Sequence, residues 1–363
     1  MKRKKICIVS FCNLYILPYA NMYINKIIEQ GCECDILFWD RDASGGERDK
    51  YTGCKNIVYQ AATKSKISII CNYIKATLFF VRHIWNKKYD GLIFLQSHAA
   101  VACFLPVLRF YKEKYIVDVR DYSLENFWLF RLIEKRVIRD SYMTIISSPA
   151  YKNFLPKDGL YYISHNYNAY DPDIVKSFAD RLKRRSEVLS ISFVGTVRFY
   201  DMDKKILDLF ANDRRYKINY YGRGSEVLAD YCKIKRIENV DFIGSFEQSR
   251  TTDLYKHTDI INNLYGNHDP FLDYALSNKL YHSAQLYIPI IVCPDTYMAE
   301  VTQKYGIGFV FDVNNEESKN NLYDWYSHLD IDAFRDGCDA FSREVIKENE
   351  ESSFQISQYI KSL

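Results

Sequence analysis

Short runs of consecutive apolar residues, each followed by a segment of helical period, recur along the whole chain and confine it to an α/β fold. A strand buried on both faces of a parallel sheet reads as a continuous apolar run, because helices cover each side. Ile6–Ser10 is such a run, Tyr19–Gln30 has helical periodicity and stops at Gly31, and Asp35–Trp39 is the next strand. This βαβ opening implies a parallel sheet. The rhythm continues through a long helix at Ile67–Trp85, a strand at Gly91–Gln96, a helix at Ala99–Tyr111 and a strand at Tyr115–Val119. A helix at Phe127–Arg139 and strands at Met143–Ser147 and Tyr161–Ser164 complete a first doubly wound domain.

A composition break follows. Asn166–Ser186 carries Asn, Asp, Pro and the basic run RLKRR, and then Val188–Val194 (VLSISFV) restarts the alternation. Further strands are expected at Lys217–Tyr221, Val240–Ile243, Ile260–Leu264, Ile288–Val292 and Gly308–Phe311. A chain of 363 residues suits two domains of ordinary size. The reading is therefore a domain over 1–165, a hinge over 166–188, a second domain over 189–345, and a C-terminal helix over 346–363 with the option of packing back on the first domain.

Composition narrows the function. A net charge of +3 gives no argument for nucleic acid. The ten cysteines include no C-x-x-C, which fits a reducing, cytoplasmic setting rather than a zinc or redox motif. The N-terminal MKRKKICIVSF has too short an apolar stretch for a signal peptide. Ile67–Trp85 is interrupted by Lys75 and Arg82, so it is not expected to span a bilayer comfortably. The wider stretch Lys64–Lys88, which sets Lys64, Lys66, Lys75, Arg82, Lys87 and Lys88 among Ile, Phe and Trp, fits either docking on an anionic membrane or a core helix with a solvated basic face.

Ligands of open α/β sheets bind at the carboxyl ends of strands. After ISFV come Gly195, Thr196 and Arg198, where glycine admits close backbone approach and arginine offers a fork of donors to a phosphate. A tight turn with solvated basic residues, Lys204 and Lys205 included, is the plain alternative. Gly222-Arg223-Gly224 lacks the third glycine of a dinucleotide fingerprint, Val227 standing there instead. Ser277 is a candidate N-cap, with Asn278 and Lys279 in the first turn. Lysine there opposes the helix dipole unless an anion is near, and a pyrophosphate would satisfy both the lysine and the free N–H groups. Asp-x-Asp pairs at Asp171/Asp173, Asp201/Asp203 and Asp330/Asp332 follow no buried strand and read as turn or surface residues, so no metal is expected.

The order FVGTVR, YYGRGSE, NVDFIGSF, DLYKHTDIINNLY, ALSNKLYHSAQLYIPIIV, MAEVTQKYGIGFV resembles the C-terminal half of GT-B glycosyltransferases, nearest to retaining family 4 members of bacterial polysaccharide assembly. The resemblance implies two Rossmann-like domains facing across a cleft, with the nucleotide-sugar donor on the second and the acceptor on the first. It places Gly195, Thr196, Arg198, Gly222, Ser277, Asn278, Lys279 and Leu280 at the donor. The family's two glutamates correspond to Tyr274 and His282, with Glu300 as a candidate replacement. In the first domain it puts His98, Asp118 and Asp121 in catalytic positions and Asn13, Arg120, His165 and Asn166 along the acceptor cleft. From the residues alone, Asp118 and Arg120 read equally as an internal ion pair, and His268 and Asp269 as a turn. The implied activity moves a sugar from UDP or GDP to a hydroxyl of a lipid-linked or polysaccharide acceptor, with retention and without a cofactor. A nucleotide-sugar 2-epimerase of the same fold, or a catalytically degenerate partner subunit, are the competing readings.

Overall fold

The computed structural model describes residues 3–46, 51, 53–63, 65–181 and 187–363. Lys2, Lys64 and the basic run from residue 182 onward lie outside the described residues. The chain divides into two compact units, Met1–Asn166 with Lys347–Leu363, and Tyr167–Ile346.

The first unit runs β1 (Lys5–Ser10), α1 (Ala20–Glu29), β2 (Glu33–Asp40), β3 (Cys54–Gln60), α2 (Lys66–Asn86), β4 (Gly91–Leu95), α3 (Ser97–Ala102), α4 (Phe104–Phe110), β5 (Tyr115–Val119), α5 (Trp128–Arg139), β6 (Met143–Ile146) and β7 (Tyr161–Ile163). The strands form one parallel sheet in the order β3-β2-β1-β4-β5-β6-β7. Ile6, Cys7, Ile8 and Val9 are fully enclosed, as their unbroken apolar run requires. Two departures from the sequence reading have simple causes. β3 was not anticipated: it is an edge strand, only half-buried, and carries no apolar run. The single helix expected at 99–111 is two, α3 and α4, broken at Cys103. Pro106 has no N–H to give and fits only a first turn, so the helix restarts just before it.

The second unit continues with α6 (Pro172–Arg181), β8 (Leu189–Val194), α7 (Tyr200–Leu209), β9 (Tyr216–Tyr221), α8 (Ser225–Lys235), β10 (Val240–Ile243), α9 (Thr251–Tyr255), β11 (Ile260–Asn263), α10 (Pro270–Asp273), α11 (Asn278–Leu286), β12 (Ile290–Val292), α12 (Tyr297–Tyr305), β13 (Gly308–Val310), α13 (Ser318–Ser327) and α14 (Ile331–Ser362). Its parallel sheet has the order β10-β9-β8-β11-β12-β13. Tyr167 and Tyr170 pack against this unit's core. The last turns of α14 join the first unit instead: Ile356, Tyr359 and Ile360 share a core with α1, and Tyr359 Oη donates to the carbonyls of Leu92 and Lys114.

Right-handed crossovers fix which helices cover which face of the first sheet. The chain moves from β1 to β2 in one direction and from β4 to β5 to β6 in the other, so α1 lies on one face and α2, α4 and α5 on the opposite one. On that face α4 packs against both α2 and α5.

Candidate functional site

In an open parallel sheet the ligand crevice lies outside the carboxyl ends of two neighbouring strands whose connections leave to opposite faces. That point falls between β8 and β11 in the second unit and between β1 and β4 in the first.

In the second unit, Gly195, Gly222 and Gly224 all have positive φ, at 144°, 139° and 93°. Their surroundings differ. A β-carbon on Gly222 would lie 1.8 Å from the Gly195 carbonyl oxygen, and one on Gly224 would lie 2.7 Å from the Tyr200 hydroxyl. Those two glycines let neighbouring loops touch. A β-carbon on Gly195 would meet nothing closer than 3.9 Å, and the atom at 4.0 Å is Lys279 Nζ. Gly195 is the open one, as close approach by a ligand requires.

Ser277 caps α11, its Oγ accepting from the Lys279 N–H at 3.3 Å. The Lys279 side chain turns inward and is 4% exposed. Its Nζ donates to Tyr265 Oη at 2.5 Å and lies 3.6 Å from the Phe193 ring centroid and 4.5 Å from that of Tyr265. Phe193 belongs to β8 and Tyr265 follows β11. The ammonium therefore sits at the switch point. Among the described residues its partners are a phenol and two ring faces, and no carboxylate pairs with it. A desolvated cation held this way favours an anion strongly.

Asp203 of α7 is the charge that modulates it. This residue is buried, correcting the expectation that the Asp201/Asp203 pair lies on the surface; only Asp201 does. Burial pushes the Asp203 carboxyl up to about 6, against the Tyr220 hydroxyl that donates to it and the field of Lys279. A second carboxylate missed in the sequence is Asp273, whose Oδ1 is enclosed without a partner among the described residues. Burial raises its pKa. An enclosed acceptor of this kind suits a ligand hydroxyl.

The other expected donor residues differ in burial. Thr196 is half-buried, while Arg198, Asn278 and Glu300 are exposed. Lys204 lies near the Tyr231 ring and Lys205 reaches Asn314, away from the glycine turn. Leu280 is fully buried in the core, so the expectation of a donor contact is corrected. His282 is packed between Tyr170 and Tyr255, its Nδ1 bonded to Tyr170 Oη at 2.7 Å. Burial, aided by Lys279, holds its pKa down at about 4, so the ring is neutral. Asp269 caps the short helix α10 by accepting from the Phe271 N–H, as the turn reading requires.

At the first unit's switch point, β4 ends in Gln96, whose φ of 86° is strained for a residue with a side chain. His98 follows on α3, near the rings of Phe11 and Tyr73. Its Nε2 is enclosed and has no partner among the described residues. Burial, with Arg41 adding to it, lowers the ring's pKa to about 4. A neutral imidazole nitrogen is thus left available for a hydroxyl.

The neighbouring polar residues are engaged internally. Arg120 grips Asp118 through two bonds, Nε to Oδ1 at 2.6 Å and Nη2 to Oδ2 at 2.9 Å. Tyr23 Oη donates to the same carboxylate at 2.7 Å, and the Tyr19 ring lies 4.2 Å from the guanidinium. Asp118 is fully buried, so it is an internal ion pair rather than an accessible catalytic carboxylate. Arg120 also donates to the Ser164 carbonyl and to Asn166 Oδ1. His165 bonds Glu348 at 2.6 Å, tying the chain to α14. Asn13 joins Asp40 and the Arg41 N–H. These contacts give the polar groups of Arg120, His165 and Asn13 internal partners that hold the loops together, while Asn166 is exposed and lends Arg120 its Oδ1. Asp121 is exposed.

No protein-family profile matches the chain, and no curated protein matches it by sequence. Solved structures do match over nearly the full length. Sucrose-phosphate synthase from Thermosynechococcus elongatus superposes with a TM-score of 0.72 at 11% identity, covering 99% of both chains. Anabaena HepE in complex with UDP gives 0.68 at 13% identity, covering 99% of this chain and 100% of HepE. The lipopolysaccharide outer core galactosyltransferase WaaB in its apo form gives 0.66 at 13% identity, covering 96% and 99%. The neighbours are GT-B glycosyltransferases, and with its two parallel-sheet α/β units the chain has the GT-B fold.

Proposed function

We propose that the protein is a glycosyltransferase that moves a sugar from a nucleoside diphosphate to an acceptor hydroxyl, with the donor on the second unit and the acceptor on the first. One observation carries the reading. Lys279 is a buried ammonium with no carboxylate partner among the described residues, beside an open glycine at a sheet's switch point. A diphosphate supplies the missing negative charge. The free N–H groups at the start of α11 and the exposed Arg198 add to the field, and Thr196, Ser277 and Asn278 are hydrogen-bonding neighbours.

The bond between the anomeric carbon and the phosphate oxygen breaks, and the acceptor oxygen forms the new one. The acceptor proton passes to the departing phosphate, whose growing charge Lys279 stabilises without a metal ion. His98 and Asp273 are assigned to sugar hydroxyls and Asp121 to the acceptor. Retention at the anomeric carbon follows the family resemblance. HepE's complexes with UDP and UDP-glucose make uridine nucleotides the first choice of donor, ahead of GDP. The acceptor is a lipid-linked or polysaccharide chain of capsule, exopolysaccharide or O-antigen type, met at the cytoplasmic side of a membrane.

Thermal shift and calorimetry with UDP, GDP and uridine test the site on the wild type and on Lys279→Ala. The diphosphates should stabilise the wild type, and the variant should lose UDP far more than uridine. Equal losses for UDP and uridine, or no response to any nucleotide, reject the reading.

A further inference from the structure

α2 carries two apolar stripes where a covering helix needs one. The inner stripe, Ala76, Phe80 and Ile84, packs on the sheet. The outer stripe, Ile67, Ile70, Ile74 and Leu78, follows the helical three-four spacing and is left exposed, Ile67 at 76% and Leu78 at 64%. Its neighbour α4 continues the surface with exposed Leu105 and Phe110, the latter edge-on to exposed Trp85 of α2 at 5.0 Å. Beyond α4, α5 opens with Phe127 before it and Trp128, Leu129 and Leu132 on its outer side, Trp128 being 75% exposed. All three helices cover the same face of one sheet, and α4 touches both others.

The charges on this face are one-sided. Every charged side chain on α2, α4 and α5 is basic apart from Glu134, which is buried. Exposed Lys75, Arg82, Arg109, Arg131 and Lys135 therefore flank the apolar stripes without acidic side chains from the same helices between them. A protein partner with an apolar patch would explain the stripes but not the uniform sign of their border. An anionic lipid surface explains both, since acyl chains take the apolar residues and headgroups take the lysines and arginines. Trp128 and Trp85 belong to the residue type that settles at that boundary.

α2 is also the one helix among the described residues long and apolar enough to cross a membrane by length and composition. It links β3 to β4 and its inner stripe is part of the sheet's cover, so crossing would strip that cover. It lies on the surface.

We infer that the outer face of α2, α4 and α5 is a membrane-docking surface for anionic phospholipid bilayers, with the Phe127–Trp128 start of α5 as an insertion point separate from α2. This extends the membrane-side acceptor of the proposed function, but it stands on the helices alone and on no nucleotide contact.

Co-sedimentation of the full chain with phosphatidylcholine vesicles, with and without phosphatidylglycerol, tests the surface in low and high salt. The wild type should bind the anionic vesicles at least tenfold more tightly, and salt should weaken that binding. Trp128→Glu and Ile70→Glu/Ile74→Glu should each cut it at least tenfold while UDP still shifts their melting as it does the wild type. That retained shift also shows that the variants fold and keeps this outcome separate from the nucleotide reading. Three results overturn the inference. They are a wild type that stays unbound, equal binding to both vesicle types, and a dimer of two copies through this face that both variants break. Loss with the α2 variant but not with Trp128→Glu would overturn the α5 insertion point.

Discussion

The two switch points occupy equivalent places in their sheets and have opposite electrostatics. Between β8 and β11, Lys279 is a buried cation whose partners are rings and one phenol. Beside the β1–β4 point, at the end of β5, Arg120 is a buried cation with its carboxylate fully engaged, and the group left over is the neutral His98 nitrogen after β4. A compensated pair adds rigidity and little field, whereas an uncompensated ammonium is a standing demand for an anion. The contrast separates a place for phosphate from a place for sugar hydroxyls. Removing a charge should therefore have opposite consequences in the two units.

The largest effect is expected from Arg120→Met. It leaves Asp118 buried and unpaired, and such losses run to about 3–5 kcal/mol. Denaturant unfolding should show the first unit weakened by that order, and a change within about 0.5 kcal/mol, as for an ordinary surface site, would mean the pair is not what holds these loops. Lys279→Met comes next. It removes a charge that has no carboxylate partner among the described residues, so stability should hold or rise while UDP binding drops about 100-fold, a loss of the size carried by a charge-assisted contact. A variant that is destabilised yet binds UDP as tightly as the wild type would reverse the comparison.

The same contrast shows what a sequence displays and what it hides. The buried strands were legible because sheet burial on two faces writes itself as an unbroken apolar run, as in Ile6–Ser10 and Val188–Val194. β3 was not, because an edge strand needs no such run. Lys279 was legible as a misplaced charge at a helix start. Its inward course was not, since the rings that cage it come from β8 and from the turn after β11. The D-V-R-D run admitted an internal ion pair, and the structure has one at Asp118 and Arg120. Asp203 and Asp273 were hidden because a carboxylate's burial is decided by chain segments distant in sequence, and nothing local marks it. His282 occupies a glutamate's place in the resemblance, yet its visible bond is to Tyr170, a partner no spacing predicts.

His98→Phe probes the first unit's side of the contrast. Its ring is held near 4, below the ordinary 6.5. The folded state therefore takes up this proton less readily than the unfolded chain. The stability tied to the neutral ring is present above about 6.5 and is lost as pH falls toward about 4. At pH 5 the variant should gain on the wild type by about 1–2 kcal/mol compared with their difference at pH 7. Denaturation midpoints at the two pH values check this, and parallel curves would show a ring that is not enclosed.

The smallest effect tests whether Lys279 is as uncompensated as it looks. Asp203 is held up near 6 by burial, above its ordinary 3.8. By linkage, this raised pKa gives stability that is complete below about 4 and is lost as pH rises through about 6. Binding should follow the same titration for a different reason: once ionised, Asp203 offsets part of the field that Lys279 offers an anion. Affinity for a nucleotide sugar, whose diphosphate diester keeps its charge through this range, should fall about threefold between pH 5 and pH 7. Asp203→Asn should flatten that fall and leave affinity at its low-pH level throughout. Calorimetry at the two pH values decides it. A wild-type affinity that stays level from pH 5 to pH 7 would mean that the ammonium already has a counter-charge other than Asp203, and the difference between the two switch points would narrow accordingly.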